Sequence, residues 1–267
     1  MNFTQLMDSV EFEVGSGTSR ARLIISEDWL QGRTVFGGLQ AALAVRAMRQ
    51  QVAPEFLLRS MQVTFVGPVV AGPVEVLATI LRRGKSAVHV RAEVMVEDQL
   101  CFTAVAIFGG VRETAFESRP VAPECAKPPE QLVSLPFIPN VTPAFTKNVE
   151  MRWAKGRPPF CGAQDASAQI YVRHRNDVAM SEAHLVAACD IIPPPVLSVL
   201  SKPTPGSSMN WQLEILADPA QLHGADWLRF DAEMMAAHSG YSWQTAKIWS
   251  SQGDLVAIAH QCVAVFG

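Results

Sequence analysis

The 267-residue sequence has few charged residues and almost no net charge. Asp, Glu, Lys and Arg make up 18% of the residues, the net charge is −3 and the pI is near 6.1. Broad affinity for nucleic acid or for an anionic membrane normally needs a strongly basic surface. We therefore predict a protein that binds neither nucleic acid nor a membrane.

Targeting, membrane-spanning and metal-binding signals are also missing. The start, Met1-Asn2-Phe3-Thr4-Gln5, has no basic segment and no apolar signal core, and the apolar runs are interrupted well before a spanning length. The five cysteines are an odd number without paired spacing, which argues against a disulfide framework and against a zinc site. We expect a cytoplasmic protein with neither a metal nor a cofactor.

A proline-rich stretch divides the sequence. Seven prolines fall between Ser118 and Pro143, where periodicity is weak and a connector is favoured. Hydrophobic residues make up 49% of the chain, so each side of this stretch can build a core. We predict an N-terminal unit at residues 1–117, a linker at 118–147 and a C-terminal unit at 148–267.

The N-terminal unit contains a buried helix followed by strands. The stretch from Leu39 to Met48 is rich in alanine and apolar almost all round, which is typical of a helix inside the fold. Strands are predicted by alternation at Met61–Phe65 and Ala87–Val94, and by a nearly continuous apolar run at Leu100–Phe108.

The same order returns after the linker. Ser181 is a plausible N-cap for a helix from Glu182 to Ile191, which the prolines from Pro193 would end. Strands are predicted at residues 211–215, 228–234 and 255–266. Three short matches in the same order indicate a tandem duplication. They are Ser60-Met61-Gln62 with Ser208-Met209-Asn210, Gly84-Lys85-Ser86 with Gly240-Tyr241-Ser242, and Ala106-Ile107-Phe108-Gly109 with Ala264-Val265-Phe266-Gly267.

Several motifs resemble the acyl-CoA thioesterase II family. They are Val35-Phe36-Gly37-Gly38 at a helix start, Phe65-Val66-Gly67-Pro68 followed by Gly72-Pro73-Val74, and the end from Asp254 to Gln261 and Val263. The resemblance implies an α+β double hotdog, in which each of two units wraps an antiparallel sheet around a long helix. It also implies hydrolysis of acyl-CoA to free acid and CoA.

In that family an Asp, a Thr and a Gln hold the attacking water. By resemblance the acid corresponds to Asp190 and the amide to Gln261, while Ser208 stands where the family has Thr. Ser keeps the hydroxyl but lacks the methyl group that restricts the Thr rotamer. Asp190 lies among apolar neighbours, which should raise its pKa and favour it as a general base. Direct attack by Asp190 to give an anhydride is the second option.

The oxyanion partner is expected at the start of the first helix. Helix N-termini present N–H groups and partial positive charge, and Gly37 and Gly38 would let a ligand approach closely. By analogy with hotdog dimers, the N–H of Gly38 or Leu39 would face Asp190 from the other unit. No Asp or Glu occurs from Gly37 to Val52, and Thr103 stands near the first-half position of Gln261. We therefore expect one active site per chain.

Structural interpretations compete with each of these assignments. Asp190 could end a helix, Ser208 could belong to a turn, Gln261 could satisfy a buried hydrogen bond, and the glycines could serve packing alone. Two other functions also compete. One is a non-catalytic acyl-CoA or acyl-carrier binding protein, and a weaker one is a hotdog hydratase or dehydratase. A homo-oligomer paired through sheet edges is a further option.

Overall fold

A computed structural model describes residues 1–125, 127–175, 179–223 and 226–266. Gly267, the last residue of the third duplicated match, lies outside these ranges. Over the described residues, twelve strands form one antiparallel sheet. Within the same ranges, no helix is both long and apolar enough to cross a bilayer.

The first half begins with a short helix and carries a longer, buried one. Its helices are α1 (Phe3–Asp8) and α2 (Gly37–Arg49). Its strands are β1 (Glu11–Val14), β2 (Thr18–Ile25), the small pair β3 (Leu30–Gln31) and β4 (Thr34–Val35), then β5 (Leu57–Phe65), β6 (Gly72–Arg83), β7 (Ala87–Val96) and β8 (Gln99–Gly109).

The second half repeats this plan with shorter helices. Its helices are α3 (Glu182–Ala188) and α4 (Val196–Val199). Its strands are β9 (Val149–Lys155), β10 (Ser167–His174), β11 (Gly206–Ile215), β12 (Leu228–His238), β13 (Tyr241–Trp249) and β14 (Leu255–Val265). Between the halves, described residues from 110 to 148 form short 3-10 turns and extended chain rather than sheet strands.

The sheet runs continuously from one half into the other. Its strand order is β1-β2-β6-β7-β8-β5-β11-β14-β13-β12-β10-β9, so the halves meet where β5 pairs with β11. The pairing is antiparallel, with Gln62 opposite Gln212 near its centre. The β5–β11 pairing therefore joins the strands of both halves into one sheet.

The two main helices pack against each other inside the sheet. Every residue of α2 is buried apart from Arg46 and Arg49, as its apolar surface requires. Gly38, at the start of α2, lies against the Ala187 carbonyl near the end of α3. At the opposite end, Arg49 pairs with Glu182 at 2.6 Å. The helices therefore run antiparallel, and the N-terminus of α2 faces the C-terminus of α3.

Some elements differ from their predicted bounds. Helix α3 ends at Ala188 rather than Ile191, because Cys189 forms the C-cap and Asp190 already lies in a turn. The duplicated matches do not keep one sheet register: Ala106 pairs with Val90, whereas Ala264 pairs with Tyr241. The β12–β13 hairpin turns between His238 and Tyr241, whereas β6 and β7 last pair at Arg83 and Val88, so the repeats are offset.

Candidate active site

Three polar side chains from separate elements meet at the seam between the halves. Asp190 follows α3, Ser208 lies in β11 and Gln261 lies in β14. Nε2 of Gln261 donates to Oγ of Ser208 at 2.9 Å and to Oδ1 of Asp190 at 3.3 Å. The structure thus brings together the three residues that the family resemblance singled out, although Asp190 and Gln261 are 71 positions apart along the chain and Ser208 and Gln261 are 53 apart.

Asp190 is directed at the first turn of α2 by the way α3 ends. The Asp190 N–H donates to the Ala187 carbonyl at 3.2 Å, which closes the last turn. The backbone N–H of Gly38 donates to the Asp190 carboxylate. A Cβ added at Gly37 would lie 2.7 Å from Oδ2 of Asp190, so only glycine permits this approach.

The surroundings of Asp190 oppose its ionisation. Burial raises the pKa of its carboxyl to about 7, while the hydrogen bonds from Gly38 and Gln261 favour the charged form and lower it. The direction agrees with the prediction from its apolar neighbours. The adjacent Cys189 is buried, and burial together with the nearby carboxylate raises the pKa of its thiol. Cys189 therefore stays a neutral thiol and is a poor nucleophile.

Ser208 owes its position to an irregularity in the sheet. The register of β11 against β14 shifts between Ser208 and Asn210, the signature of a β-bulge. Ser208 pairs with Val263, whose side chain is buried on the same side as Gln261. The bulge thus turns the hydroxyl of Ser208 toward the Gln261 amide instead of toward the outer face.

A fourth polar residue, Gln244 of β13, completes the group and was not found from the sequence. It lies directly opposite Gln261 in the ladder, and its Nε2 donates to Oε1 of Gln261 at 2.7 Å. The signal was present in the alternation of β13, where Ser242, Ala246 and Ile248 are buried and Gln244 shares their parity. A polar residue at an inward position is the mark that could have revealed it.

The first turn of α2 borders the same group. Leu39 is fully buried, and its N–H donates to the Phe36 carbonyl at 3.1 Å. The N–H of Gly38 binds Asp190. Gly37 lines the cavity beside the carboxylate, at the helix position whose N–H has no partner within the helix.

A cavity of about 380 Å³ opens in front of Asp190 and Ser208, and Gln261 lies behind them. Asp190, Ser208 and Gly37 lie on its wall, and much of the remaining lining is apolar, including Phe65, Val69 and Leu197. A mostly apolar pocket with a few converging polar groups is typical of a small-molecule site. Across the described ranges, no three His, Cys, Asp or Glu side chains cluster closely enough to hold a metal ion.

The symmetry-related position in the molecule is built differently. There Arg49 at the end of α2 meets Glu182 at the start of α3, and Glu182 also accepts from the Leu58 N–H at 3.2 Å. Thr103 is not the counterpart of Gln261. Its neighbours Phe102 and Ala104 are buried, so Thr103 itself faces outward. An ion pair and apolar side chains thus occupy the place of the acid and the amide.

Comparisons with known proteins agree with this architecture. Residues 25–109 match the acyl-CoA thioesterase N-terminal domain, and residues 129–265 match the acyl-CoA thioesterase C-terminal domain. The chain therefore belongs to the acyl-CoA thioesterase family, and its fold is the double hotdog. No curated protein sequence matches the chain.

Solved structures of the same fold cover nearly the whole chain. A conserved hot dog protein of unknown function from Alicyclobacillus acidocaldarius has a TM-score of 0.86 and 23% identity over 98% of each chain. An acyl-CoA thioesterase II from Mycobacterium marinum has a TM-score of 0.76 and 17% identity, again over 98% of each chain. At these identities the likeness concerns the fold.

Proposed function

We propose that the protein hydrolyses an acyl-CoA thioester to a free acid and CoA, with a water held by Asp190, Ser208 and Gln261. The observation that carries the proposal is that Asp190 and Ser208 line one cavity while Gln261 is hydrogen-bonded to both of them. Membership of an acyl-CoA thioesterase family supports the substrate class.

Asp190 is the general base in this proposal. Its pKa of about 7 lets it accept a proton near neutral pH, when much of it is ionised. Water attacks the thioester carbonyl and gives its proton to Asp190, a C–O bond forms and the C–S bond breaks. The departing CoA thiolate then takes the proton from Asp190, which returns the carboxylate to its starting state.

The start of α2 supplies the hydrogen-bond donor for the oxyanion. Gly38 holds Asp190 through its N–H, and Leu39 is tied to Phe36, so Gly37 is the amide of the first turn that we assign to the thioester oxygen. Such a donor contributes roughly 3 kcal/mol to lowering a barrier of this kind. Direct attack by Asp190 is less well supported, because Gly38 and Gln261 already bind its carboxylate.

A panel of acyl-CoA substrates of increasing chain length tests this function. We expect CoA release, followed with a thiol reagent, that falls at least 100-fold in Asp190→Asn, because Asn cannot accept the proton from water. Arg22→Met, which alters an exposed ion pair far from the cavity, is the control and should keep full activity. Tight acyl-CoA binding without release would instead identify a non-catalytic binding protein.

A further inference from the structure

The side chain of Gln244 contacts the amide of Gln261 directly. It lies behind Gln261 as seen from Ser208, in the adjacent strand, and bonds the Oε1 end of that amide at 2.7 Å. Gln244 lines a small pocket of about 20 Å³ with Asp190 and Gln261, and on its other side it borders a larger cavity of about 490 Å³ together with Gln261. Among the described residues, the hydrogen bond of the Gln244 side chain is the one to Gln261.

The order of donors and acceptors through this group follows from Asp190. An ionised carboxylate only accepts hydrogen bonds, so Gln261 must present Nε2 to Asp190. The Oε1 of Gln261 then faces the opposite way and needs a donor. Nε2 of Gln244 is that donor. If the Gln261 amide were reversed, its Nε2 would face Nε2 of Gln244, and two donors would oppose each other.

This arrangement has a free-energy cost at the side-chain oxygen of Gln244 itself. Its Oε1 is buried and has no hydrogen-bond partner in the part of the chain that the structure describes. A buried amide oxygen without a partner costs free energy, and an apolar residue of similar size would avoid the cost. The hydroxyl of the next residue, Thr245, does not satisfy this oxygen, because it donates to the Ala259 carbonyl at 3.3 Å. The polar side chain is therefore unfavourable for packing alone.

We propose that Gln244 is a positioning residue that fixes the amide orientation of Gln261, so that Nε2 of Gln261 stays on Asp190 and Ser208. The inference rests on the proposed hydrolysis, since it concerns how the water-holding group is kept in order. Gln244 touches neither Asp190 nor Ser208 through a hydrogen bond; it acts through Gln261.

Gln244→Met tests the proposal because methionine keeps the length and removes both polar groups. We expect kcat to fall about 10-fold, the equivalent of one hydrogen bond, with KM changed less than about two-fold. The acid limb of the pH–kcat profile should move to higher pH, because a free Gln261 amide no longer holds down the pKa of Asp190. Cys189, the other titratable side chain of this pocket, is a neutral thiol and does not produce such a limb.

Two further variants separate orientation from packing. In Gln244→Glu the carboxylate can only accept, so it should draw the Gln261 N–H away from Asp190 and lower kcat further than methionine does. Thr245→Val removes a polar group from the same pocket without touching Gln261, and it should leave kcat and the pH limb unchanged.

A titration of Asp190 by carboxyl-carbon NMR gives a readout that needs no turnover. A higher Asp190 pKa in Gln244→Met supports the proposal, and it does so even if the substrate panel finds no hydrolysis. An Asp190 pKa and kcat equal to those of the wild type in both Gln244 variants would overturn it. A lower melting temperature without any change in the pH limb would show a purely structural role and would also overturn it.

Discussion

Asp190 occupies a site where its negative charge is costly. Burial raises the pKa of its carboxyl to about 7 from an ordinary value of 3.8, despite two hydrogen bonds that favour ionisation. Between these two pH values the folded protein holds a proton that the unfolded chain releases. Stability therefore falls as the pH rises from about 4 to about 7, and it levels off above that range.

Asp190→Asn should consequently stabilise the protein at high pH while it abolishes hydrolysis. Linkage sets an upper bound of about 4 kcal/mol on the gain at pH 8, and we expect roughly 2 kcal/mol because Asp190 is only half-buried. Urea unfolding of both proteins from pH 4 to pH 8 measures the difference, which should shrink toward pH 4. Asp8→Asn, which alters an exposed carboxylate, is the control. A stability difference that is constant over this range would contradict the prediction.

Individual residues of the site differ in how far the sequence reveals them. Asp190, Ser208 and Gln261 follow from motifs whose order along the chain resembles a family. Gln244 has no such motif, and its importance depends on which residue of β14 lies opposite it. That pairing is fixed by hairpin length and bulges, which alternation alone does not determine.

The first turn of α2 contains two glycines with different neighbours. A Cβ at Gly37 would meet the Asp190 carboxylate and the Phe65 ring, both of which belong to the cavity. A Cβ at Gly38 would lie 2.6 Å from the Ala187 carbonyl and 2.5 Å from the Phe36 ring. The first glycine thus makes room for the site, and the second lets α2 and α3 pack closely.

Alanine at each position should separate these roles. Gly37→Ala should lower kcat/KM at least 10-fold and leave the melting temperature within about 3 °C, because Asp190 can turn away into the cavity. Gly38→Ala should destabilise the fold by about 2 kcal/mol, since the Ala187 backbone cannot move aside easily. Thermal melts and CoA-release assays on both variants measure the split. Equal losses of stability would show that Gly37 is a packing residue only.

Elements with strong local patterns were predicted closely, and those defined by partners were not. The structure extends the predicted Leu39–Met48 helix to Gly37–Arg49, and the predicted strand from Ala87 continues to Val96. Strands β1, β2, β9 and β10, near the sheet edges, were not predicted, and neither were the interior strands β6 and β13. All of them mix exposed or half-buried positions with buried ones. Helix α3 stops early because Asp190 turns toward α2, a contact between the halves that a local pattern does not contain.

At the scale of the molecule the two halves contribute unequal parts to one site. The first supplies Gly37, Gly38 and Phe65, and the second supplies Asp190, Ser208 and Gln261. The reciprocal position holds the ion pair of Arg49 with Glu182, which bridges the same two helices at their other ends. One end of the helix pair thus joins the halves structurally, and the other end forms the site.

The chain connection between the halves should therefore be dispensable once the protein has folded. The side chains of Phe116 and Val121 are 80% and 89% exposed, so a protease site can replace residues 116–121. After cleavage we expect the halves to stay together through β5–β11 and the helix pair, and activity to remain within about two-fold of the uncut protein. Size-exclusion chromatography and the CoA-release assay measure both properties.

Refolding then distinguishes the cut chain from the intact one. After denaturation and dilution, the cut protein should regain activity at a rate that depends on protein concentration, because assembly of the halves has become bimolecular. The uncut protein with the same inserted site should refold at a rate independent of concentration. Separation of the halves on the column without denaturant would mean that the seam and the Arg49–Glu182 contact cannot hold the site together, and it would contradict this account of one site built by two units.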